Sequence, residues 1–459
     1  MSTSRLTVFA ALFLALIVLP GVGCRGGTKE AREALEPITL TVWSVFDNPN
    51  AFDAIMDGYR AAHPNVRISY RKLRFDEYQD ELLRAFAEDR GPDIFVAHNT
   101  WMKGYLPLIE PMPDTVKIAY KEVRGTVKKE EVVVVRNEPT MSLRELDDDY
   151  VQVVGEDVVY QAKDGEVTRN RIHGLPLSVD TLALFYNKDI LDAAGIPEPP
   201  STWEEFQKQV ATITRYDATG AVAQSGASIG TGANVDRAVD IVSLLMMQSG
   251  TQMTSANGKA TFAQRKQGSR DFPAVDAVRF YTDFSNPTKE SYTWDASFPS
   301  SFDAFASGQT AFFFGYSYHI PLLQTRAQKI NYDIAPVPQL TSSRVDYANY
   351  WIHTVSKKSD HPDWAWDFIL YAANKDNVAS YLSAAQKPTA LRALIMEQLD
   401  DAKLGVFADQ VLTAQDWYNG NDAIAAENAI VNMIDAIVDG DLLIEEALPI
   451  AEQQVNQTL

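Results

Sequence analysis

In the first third of the chain, hydrophobic and polar positions alternate between strand-like and helix-like patterns. Residues 38–43 combine β-branched and aromatic side chains, which is typical of a strand. Apolar residues within 52–59 then recur three and four positions apart, as on one face of an amphipathic helix. A strand at 66–73, a second helix and a buried-looking strand at 93–96 follow. This order predicts a parallel sheet with helices on its faces.

The segment 115–171 interrupts this order. It is charged and rich in valine, and Asp164 and Gly165 form a typical hairpin turn between two short strands. We interpret the segment as an inserted, partly β excursion, and a flexible surface flap remains the alternative interpretation.

The α/β pattern returns in the second half of the chain. Residues 181–187 and 310–314 have the composition of strands, and 235–248 form a long apolar helix pattern. Residues 201–205 contain a doubled capping box, which predicts a helix start. The chain reads as helical from residue 422 onward. With 459 residues, we expect an α/β protein of two or three domain-sized units.

The N-terminus has the pattern of a secretory signal peptide. Arg5 precedes an apolar run over 8–19, and small residues lead to Cys24, the sole cysteine. The site resembles a bacterial lipobox, with Gly21 where such motifs usually carry leucine. We predict a signal peptide at 1–23, lipidation of Cys24 and a tether at 24–37. An ordinary signal peptide with a chance cysteine is the alternative, and both interpretations place the mature protein outside the cytoplasm.

Composition excludes several classes of partner and cofactor. The formal charge of −20 repels nucleic acid, and no basic cluster offsets it. A single cysteine allows no internal disulfide, and the six histidines lack the spacing of common metal sites. No dinucleotide fingerprint or P-loop is present. We therefore expect no cofactor, no metal and no nucleic-acid partner, and we expect a monomer.

Two catalytic interpretations compete with a binding function. Residues 226–230 match the G-x-S-x-G nucleophile elbow of serine hydrolases, with Ser228 as nucleophile. The elbow requires a buried strand before the serine, and residues 223–225 are polar and poor in β-branched side chains. A glycosidase needs only two carboxylates, a condition that any chain with 61 acidic residues meets by chance. We therefore predict a protein that is not an enzyme, with a secreted hydrolase as the alternative.

Five sequence blocks carry a resemblance to a known family. They occur in the family's order at 91–95, 174–189, 200–206, 305–312 and 355–362. The chain resembles the bacterial extracellular solute-binding proteins of family 1, which supply ABC importers with sugars. The resemblance implies a type II periplasmic-binding fold of two α/β lobes, each a mainly parallel sheet flanked by helices, joined by crossing strands. It also implies a sugar or oligosaccharide ligand in the cleft and an ABC importer, whose own subunits hydrolyse ATP, as partner.

The block at 174–189 marks the first crossing between lobes. We therefore predict a first lobe from 38–178 and 352–385, which carries the insertion 115–171. The second lobe comprises 179–351 and 386–459. At the crossing lies Asp180, and the resemblance implies that its carboxylate binds sugar hydroxyls.

Candidate ligand-binding residues follow the strands, because ligands of open α/β sheets bind beyond the carboxyl ends of strands. Aromatic rings cover the apolar faces of a sugar, and carboxylates and amides bind its hydroxyls. Each aromatic side chain has core packing as its alternative role, and a non-sugar polar solute remains a possible ligand. The candidates are Trp43, Asp47, His98, Asn99, Asp180, Asn234, Tyr316, Tyr318, Trp351 and Trp417. Phe46, Trp101 and His319 lie in the same turns.

Overall fold

The computed structural model describes residues 35–125, 129–265, 271–341 and 343–459. The predicted signal peptide and Cys24 lie outside these residues, as does the tether before residue 35. Within them, no helix has the length and apolar character needed to cross a membrane.

The structure contains the strands predicted at 38–43, 66–73, 93–96, 181–187 and 310–314 and the hairpin predicted in the insertion, together with further strands that no local pattern predicted. In chain order, the strands are β1 (Ile38–Ser44), β2 (Val66–Lys72), β3 (Ile94–His98), β4 (Thr115–Arg124), β5 (Glu130–Pro139), β6 (Val159–Asp164), β7 (Val167–Ile172), β8 (Asp180–Thr181), β9 (Ala183–Asn187), β10 (Arg215–Tyr216), β11 (Val222–Ala227), β12 (Thr310–Gly315), β13 (Tyr332–Ala335), β14 (Asp346–Asn349), β15 (Trp351–Val355) and β16 (Ala414–Gln415).

The helices follow the i, i+3, i+4 pattern, and the predicted capping box of Thr202 and Glu205 is present at the start of its helix. They are α1 (Asp53–Ala62), α2 (Phe75–Ala87), α3 (Met102–Tyr105), α4 (Leu143–Asp149), α5 (Gln152–Val158), α6 (Lys188–Ala193), α7 (Trp203–Ile213), α8 (Ala238–Gln248), α9 (Pro273–Thr282), α10 (Ser301–Ala306), α11 (His319–Arg326), α12 (Pro362–Ala372), α13 (Lys375–Ala385), α14 (Arg392–Gln398), α15 (Leu404–Gln410), α16 (Ala423–Val438) and α17 (Ile444–Asn456).

The first sheet has the strand order β15-β3-β1-β2. β1 pairs in parallel with both β2 and β3, as the sequence predicts. β15 returns from the second half of the chain and pairs with β3 in the antiparallel direction, so that Trp351 lies opposite His98. The ends of β1, β2 and β3 and the start of β15 therefore meet at one edge of this sheet.

The second sheet has the order β10-β11-β12-β9-β13 and corrects one expectation. Only β11 and β12 pair in parallel, whereas β9 is antiparallel to both β12 and β13. The expected mainly parallel sheet is therefore wrong for this lobe. The chain enters the lobe through β9 directly from the crossing strand, so β9 runs away from the cleft while β12 runs toward it. Local periodicity predicts a strand but not its direction relative to a neighbour.

A third sheet, β16-β14-β8, joins the two lobes. β8 and β14 are antiparallel, with Asp180 opposite Asn349, and β14 pairs in parallel with β16. These short strands carry the chain between the two larger sheets. Residues next to these short strands therefore lie close to both lobes.

The insertion contains the predicted hairpin. β6 and β7 are antiparallel and are joined through Gly165, whose φ of 62° requires a left-handed conformation that glycine adopts without strain. β4 and β5 form a separate two-stranded sheet, and α4 and α5 lie between the two hairpins. The chain divides into a main unit, Pro37–Ile118 with Asn137–Leu459, and a small unit whose described residues are 35–36, 119–125 and 129–136.

Candidate functional site

A cavity of about 280 Å³ lies where the ends of the first sheet meet the second lobe and the crossing strands. Six phenylalanine, tyrosine and tryptophan rings and several charged groups share its wall. The lining residues are Phe46, Phe75, His98, Trp101, Ser178, Asp180, Arg237, Tyr318, Asn349, Tyr350, Trp351, Lys387, Ile424 and Glu427.

Trp351 is the centre of the aromatic wall. Its ring meets the ring of Trp101 edge-on at 5.3 Å between centroids and that of His98 at the same distance. Phe46 and Phe75 approach it edge-on at 5.7 and 6.2 Å. Because Trp351 begins β15 and pairs with His98 in the sheet, the backbone fixes its position. The result is a rigid apolar surface at the edge of the first sheet.

Asp180 supplies a carboxylate at the first crossing. Its oxygens accept hydrogen bonds from the Ser317 hydroxyl at 2.6 Å, the Ser317 amide at 3.0 Å and the Thr181 amide at 2.9 Å. Burial raises the pKa of Asp180 to about 6, although these donors favour its charged form. The partners orient the carboxylate and leave acceptor capacity for a ligand, since two oxygens offer about four acceptor sites.

Arg237 lies on the side of the second lobe. Its Nε and Nη2 donate to the two oxygens of Asp240 at 2.7 Å each, and Nη2 is 3.4 Å from Glu427. Burial opposes its charge, but the two carboxylates hold the pKa of Arg237 well above its usual range. The residue has a φ of 61°, an uncommon conformation for a side chain other than glycine. A strained backbone that carries a paired guanidinium into a cavity is typical of functional sites.

Asp47 and Lys387 form an ion pair beneath the first lobe's aromatic wall. The Lys387 Nζ is 2.5 Å from Asp47 Oδ1, and the Tyr381 hydroxyl donates to Asp47 Oδ2 at 2.7 Å. Burial opposes ionisation of Asp47, but Lys387 and Tyr381 lower its pKa below the ordinary value. The Asp47 carboxylate is therefore paired with Lys387, and the Lys387 side chain forms part of the cavity wall.

His98 is a neutral hydrogen-bonding residue in the cavity wall. Its Nε2 is 3.0 Å from the Asn349 Oδ1 and its Nδ1 is 2.8 Å from the Thr100 hydroxyl. Burial lowers the pKa of His98 to about 4. The imidazole therefore links the first sheet to the crossing strand at neutral pH without carrying charge.

Of the candidates named from the sequence, Asp180, His98, Tyr318 and Trp351 line this cavity. Asp47 lies directly beneath it. The remaining five do not line it, and most are held by other parts of the protein. Trp43 is buried with the Arg71 guanidinium 4.6 Å from its ring centroid, and the Trp417 N–H donates to the Ser243 hydroxyl at 2.9 Å.

Asn99, Asn234 and Tyr316 make internal hydrogen bonds instead. The Asn234 amide donates to the carbonyls of Asp295 and Phe298 at 3.0 and 3.1 Å. The Tyr316 hydroxyl donates to Asp240 Oδ2 at 2.5 Å and thereby supports Arg237. The Asn99 amide bridges Asp157 and Asp416. His319, which lies in the same turn as Tyr316, accepts from the Tyr316 amide at 3.0 Å.

The polar and aromatic lining residues absent from the sequence-based list include Phe75, Ser178, Arg237, Asn349, Lys387 and Glu427. Phe75 follows β2, so the post-strand rule that selected Trp43 and Asp47 would also have selected it. No local sequence pattern marks Arg237 or Lys387 as a ligand residue, because they reach the cavity from a helix start and from a turn after α13.

The context of Ser228 corrects part of the argument against a hydrolase. β11 ends at Ala227, so a strand does precede Ser228 despite its polar composition. The Ser228 hydroxyl is buried and lies 3.3 Å from the Phe312 carbonyl oxygen, to which it donates. Ser228 thus bonds to the neighbouring strand and not to a histidine or carboxylate. Among the described residues, no group of three histidine, aspartate or glutamate side chains has the arrangement of a metal site.

Two α/β lobes, short crossing strands and a cavity lined from both lobes define a ligand-binding protein of the type II periplasmic class. Residues 44–379 match the sequence profile of the family described as bacterial extracellular solute-binding protein. The chain belongs to this family.

Relatives agree with that assignment. The maltodextrin-binding protein MdxE of Bacillus subtilis (strain 168) is 24% identical over 379 residues, which cover 79% of this chain and 81% of that protein. The cyclic alpha-maltosyl-1,6-maltose binding protein of Arthrobacter globiformis superposes with a TM-score of 0.69 at 20% identity, covering 92% of this chain and 98% of that one. A solute-binding protein of Thermotoga lettingae TMO bound with alpha-D-tagatose has a TM-score of 0.68 at 18% identity, covering 91% and 99%. These structures confirm the predicted fold class.

Proposed function

We propose that the protein captures a sugar or short oligosaccharide in the central cavity and delivers it to an ABC importer. One observation carries this proposal: aromatic rings and oriented polar groups face the same cavity. A sugar ring combines an apolar face of C–H groups with a rim of hydroxyls. Aromatic rings cover such faces at low entropic cost, and carboxylates, amides and guanidinium groups bind the hydroxyls.

Each lobe contributes a distinct part of this chemistry. Trp351 and Trp101 at the edge of the first sheet provide apolar surface for a ring face. Asp180 at the crossing accepts hydrogen bonds from hydroxyls, and Arg237 in the second lobe donates them. Since the guanidinium is already paired with Asp240 and Glu427, its local charge is balanced, which favours a neutral polyol over an anion.

The cavity volume favours a small solute. About 280 Å³ is near the lower end of the roughly 300–1,000 Å³ typical of small-molecule pockets. We therefore expect one or two sugar rings inside. The names of the relatives point to the same chemical class, since one binds maltodextrin and another was crystallised with alpha-D-tagatose.

Capture works through movement of the lobes about the crossing strands. β8 and β14 are short, and they connect the lobes without a large shared sheet. A solute that contacts both lobes stabilises the closed state by its differential affinity for that state. The importer then recognises the closed form. No covalent step is involved, and the proposed protein is a monomer that is lipid-anchored through Cys24 on the outer side of the cell membrane.

A thermal-shift screen followed by calorimetry tests the proposal. The purified protein is screened against mono- and oligosaccharides, with polyamines and glycerol phosphates as non-sugar competitors. A solute at 100 times its Kd adds about 2.7 kcal/mol to the free energy of unfolding. Asp180→Asn should weaken the binding of the best solute about tenfold or more, because a neutral amide oxygen replaces the charged carboxylate that accepts the hydroxyl.

The control is Asp147→Asn, since Asp147 is an exposed aspartate of α4 outside the cavity lining. It should bind like the parent protein. Stabilisation by a polyamine or phosphate and by no sugar would contradict the proposed ligand class. Equal loss of affinity in both variants would contradict the proposed site.

A further inference from the structure

Two aromatic side chains from opposite lobes stack on each other at the edge of the central cavity. Phe46 follows β1 in the first lobe, and Tyr318 precedes α11 in the second lobe. Their ring centroids are 5.9 Å apart and their planes differ by 11°. Phe75 also stacks on Phe46, at 5.6 Å. Because Phe46 is 40% exposed and Phe75 is 52% exposed, the stack lies where the cavity meets solvent.

Tyr318 also borders a second cavity, of about 320 Å³, which we name the outer cavity. It is lined by Asp236, Arg237, Ser300, Phe302, Asp303, Tyr318, His319, Leu322 and Arg326. Arg237 and Tyr318 line both cavities, whereas Phe46 lines the central cavity and not the outer one. The Tyr318 ring therefore stands between the two spaces, and Phe46 covers it on the side of the first lobe.

The outer cavity has the same mixture of groups as the central one. Arg326 pairs with Asp303 at 2.9 Å and lies over the Phe302 ring at 5.3 Å from its centroid. An aromatic ring next to oriented charged groups suits the apolar face and the hydroxyls of a sugar. The chemistry required for a further sugar unit thus continues beyond Tyr318.

We infer that Phe46 and Tyr318 determine the length of the solute that the protein binds. A short solute is enclosed behind the stacked rings. A longer chain has to separate Phe46 from Tyr318 and continue along Tyr318 into the outer cavity. This inference rests on the proposed sugar-binding function, and it names the stacked pair as the element that discriminates by length.

The expected discrimination follows from the strength of an aromatic pair. Such a pair is worth roughly twofold to tenfold in an equilibrium constant beyond its buried area. A long solute loses this contact and a short solute keeps it. Phe46→Ala should therefore raise the affinity for long solutes relative to short ones by the same factor. Phe46→Trp retains a ring and should restore the preference for short solutes.

The first experiment tests the stack without any sugar. 4-Fluorophenylalanine is introduced at position 46, and its ¹⁹F resonance is recorded in the full-length protein and in the Tyr318→Leu variant. The tyrosine ring current should shift the resonance, so removal of the ring should move it. Tyr216→Leu, which removes a tyrosine of β10 outside both cavity linings, should leave it in place. An unmoved resonance in Tyr318→Leu overturns the inference.

The second experiment measures length preference by calorimetry. Linear maltooligosaccharides of one to seven units and mannooligosaccharides of two to six units are titrated into the parent, Phe46→Ala and Phe46→Trp proteins. A shift toward longer chains in Phe46→Ala alone supports the inference. Sugar binding with the same length preference in all three proteins overturns it and leaves the proposed function standing. Binding of no sugar by the folded parent overturns the proposed function, and the length inference with it.

Discussion

The buried carboxylates of Asp157 and Asp416 should make stability depend on pH in an unusual direction. Asp157 belongs to α5 of the insertion, and Asp416 follows β16. The Asn99 amide donates to both, and the Tyr350 hydroxyl donates to Asp157. Two carboxylates in one buried cluster cannot both ionise at low cost, so the pair retains a proton.

The direction in which stability changes with pH follows from the direction of the pKa shifts. Burial raises the pKa of Asp157 from 3.8 to about 7, and burial together with the charge of Asp157 raises that of Asp416 well above its ordinary value. The folded state then binds more protons than the unfolded state over this range. Glu156 adds repulsion to both groups. The contribution of the pair is therefore most favourable below about pH 4 and is lost as the pH rises toward 7.

The magnitude is set by the same shift. At about 1.4 kcal/mol per unit of pKa, a rise from 3.8 to about 7 corresponds to about 4 kcal/mol, which belongs to the coupled pair and is fully lost only above pH 7. Asp157→Asn removes this titration. Its side-chain carbonyl can still accept from Tyr350, and its amide can donate to Asp416. The variant should therefore lose less stability than the parent protein between pH 5 and pH 8.

Urea unfolding at several pH values measures this difference. The free energy of unfolding of the parent, Asp157→Asn and Asp147→Asn proteins is compared from pH 5 to pH 8. Asp147 is exposed, so its variant should follow the parent within about 0.5 kcal/mol. A parallel pH profile for Asp157→Asn and the parent would refute the reasoning, because it would mean that Asp157 ionises as easily when folded as when unfolded.

Three further predictions concern the anchor, catalysis and the cavity. Cys24→Ser should release the protein from the membrane fraction, because it removes the sole thiol available for lipidation; equal retention would contradict a lipid anchor. A fluorophosphonate probe should leave Ser228 unlabelled, since its hydroxyl bonds to a backbone carbonyl, and stoichiometric labelling would revive the hydrolase alternative. Trp351→Ala should weaken solute binding by roughly tenfold or more in calorimetry, whereas Trp43→Ala should not, because only Trp351 lines the cavity; the reverse result would relocate the site.

Local patterns in the sequence determined several elements of this protein. β1, α1, β2 and β3 follow from period-2 and period-3.6 spacing, because such spacing reports only which side of an element is buried. The family motifs additionally predicted two lobes and placed Asp180 at the crossing between them. The sequence also allowed Trp351, His98 and Tyr318 to be named as candidates, since each lies next to a strand end or start at the cleft edge.

Only the tertiary structure decided which of the turn residues share one space. The antiparallel entry of β9 turns some strand ends toward the cleft and others away, and no local pattern encodes that direction. Trp43, Asn234 and Trp417 have the composition of ligand residues, yet packing directs them to Arg71, to backbone carbonyls and to Ser243. Arg237 and Lys387 reach the cavity from distant segments. Contacts between residues far apart in sequence arise from packing of whole elements, which the order of side chains along one element does not specify.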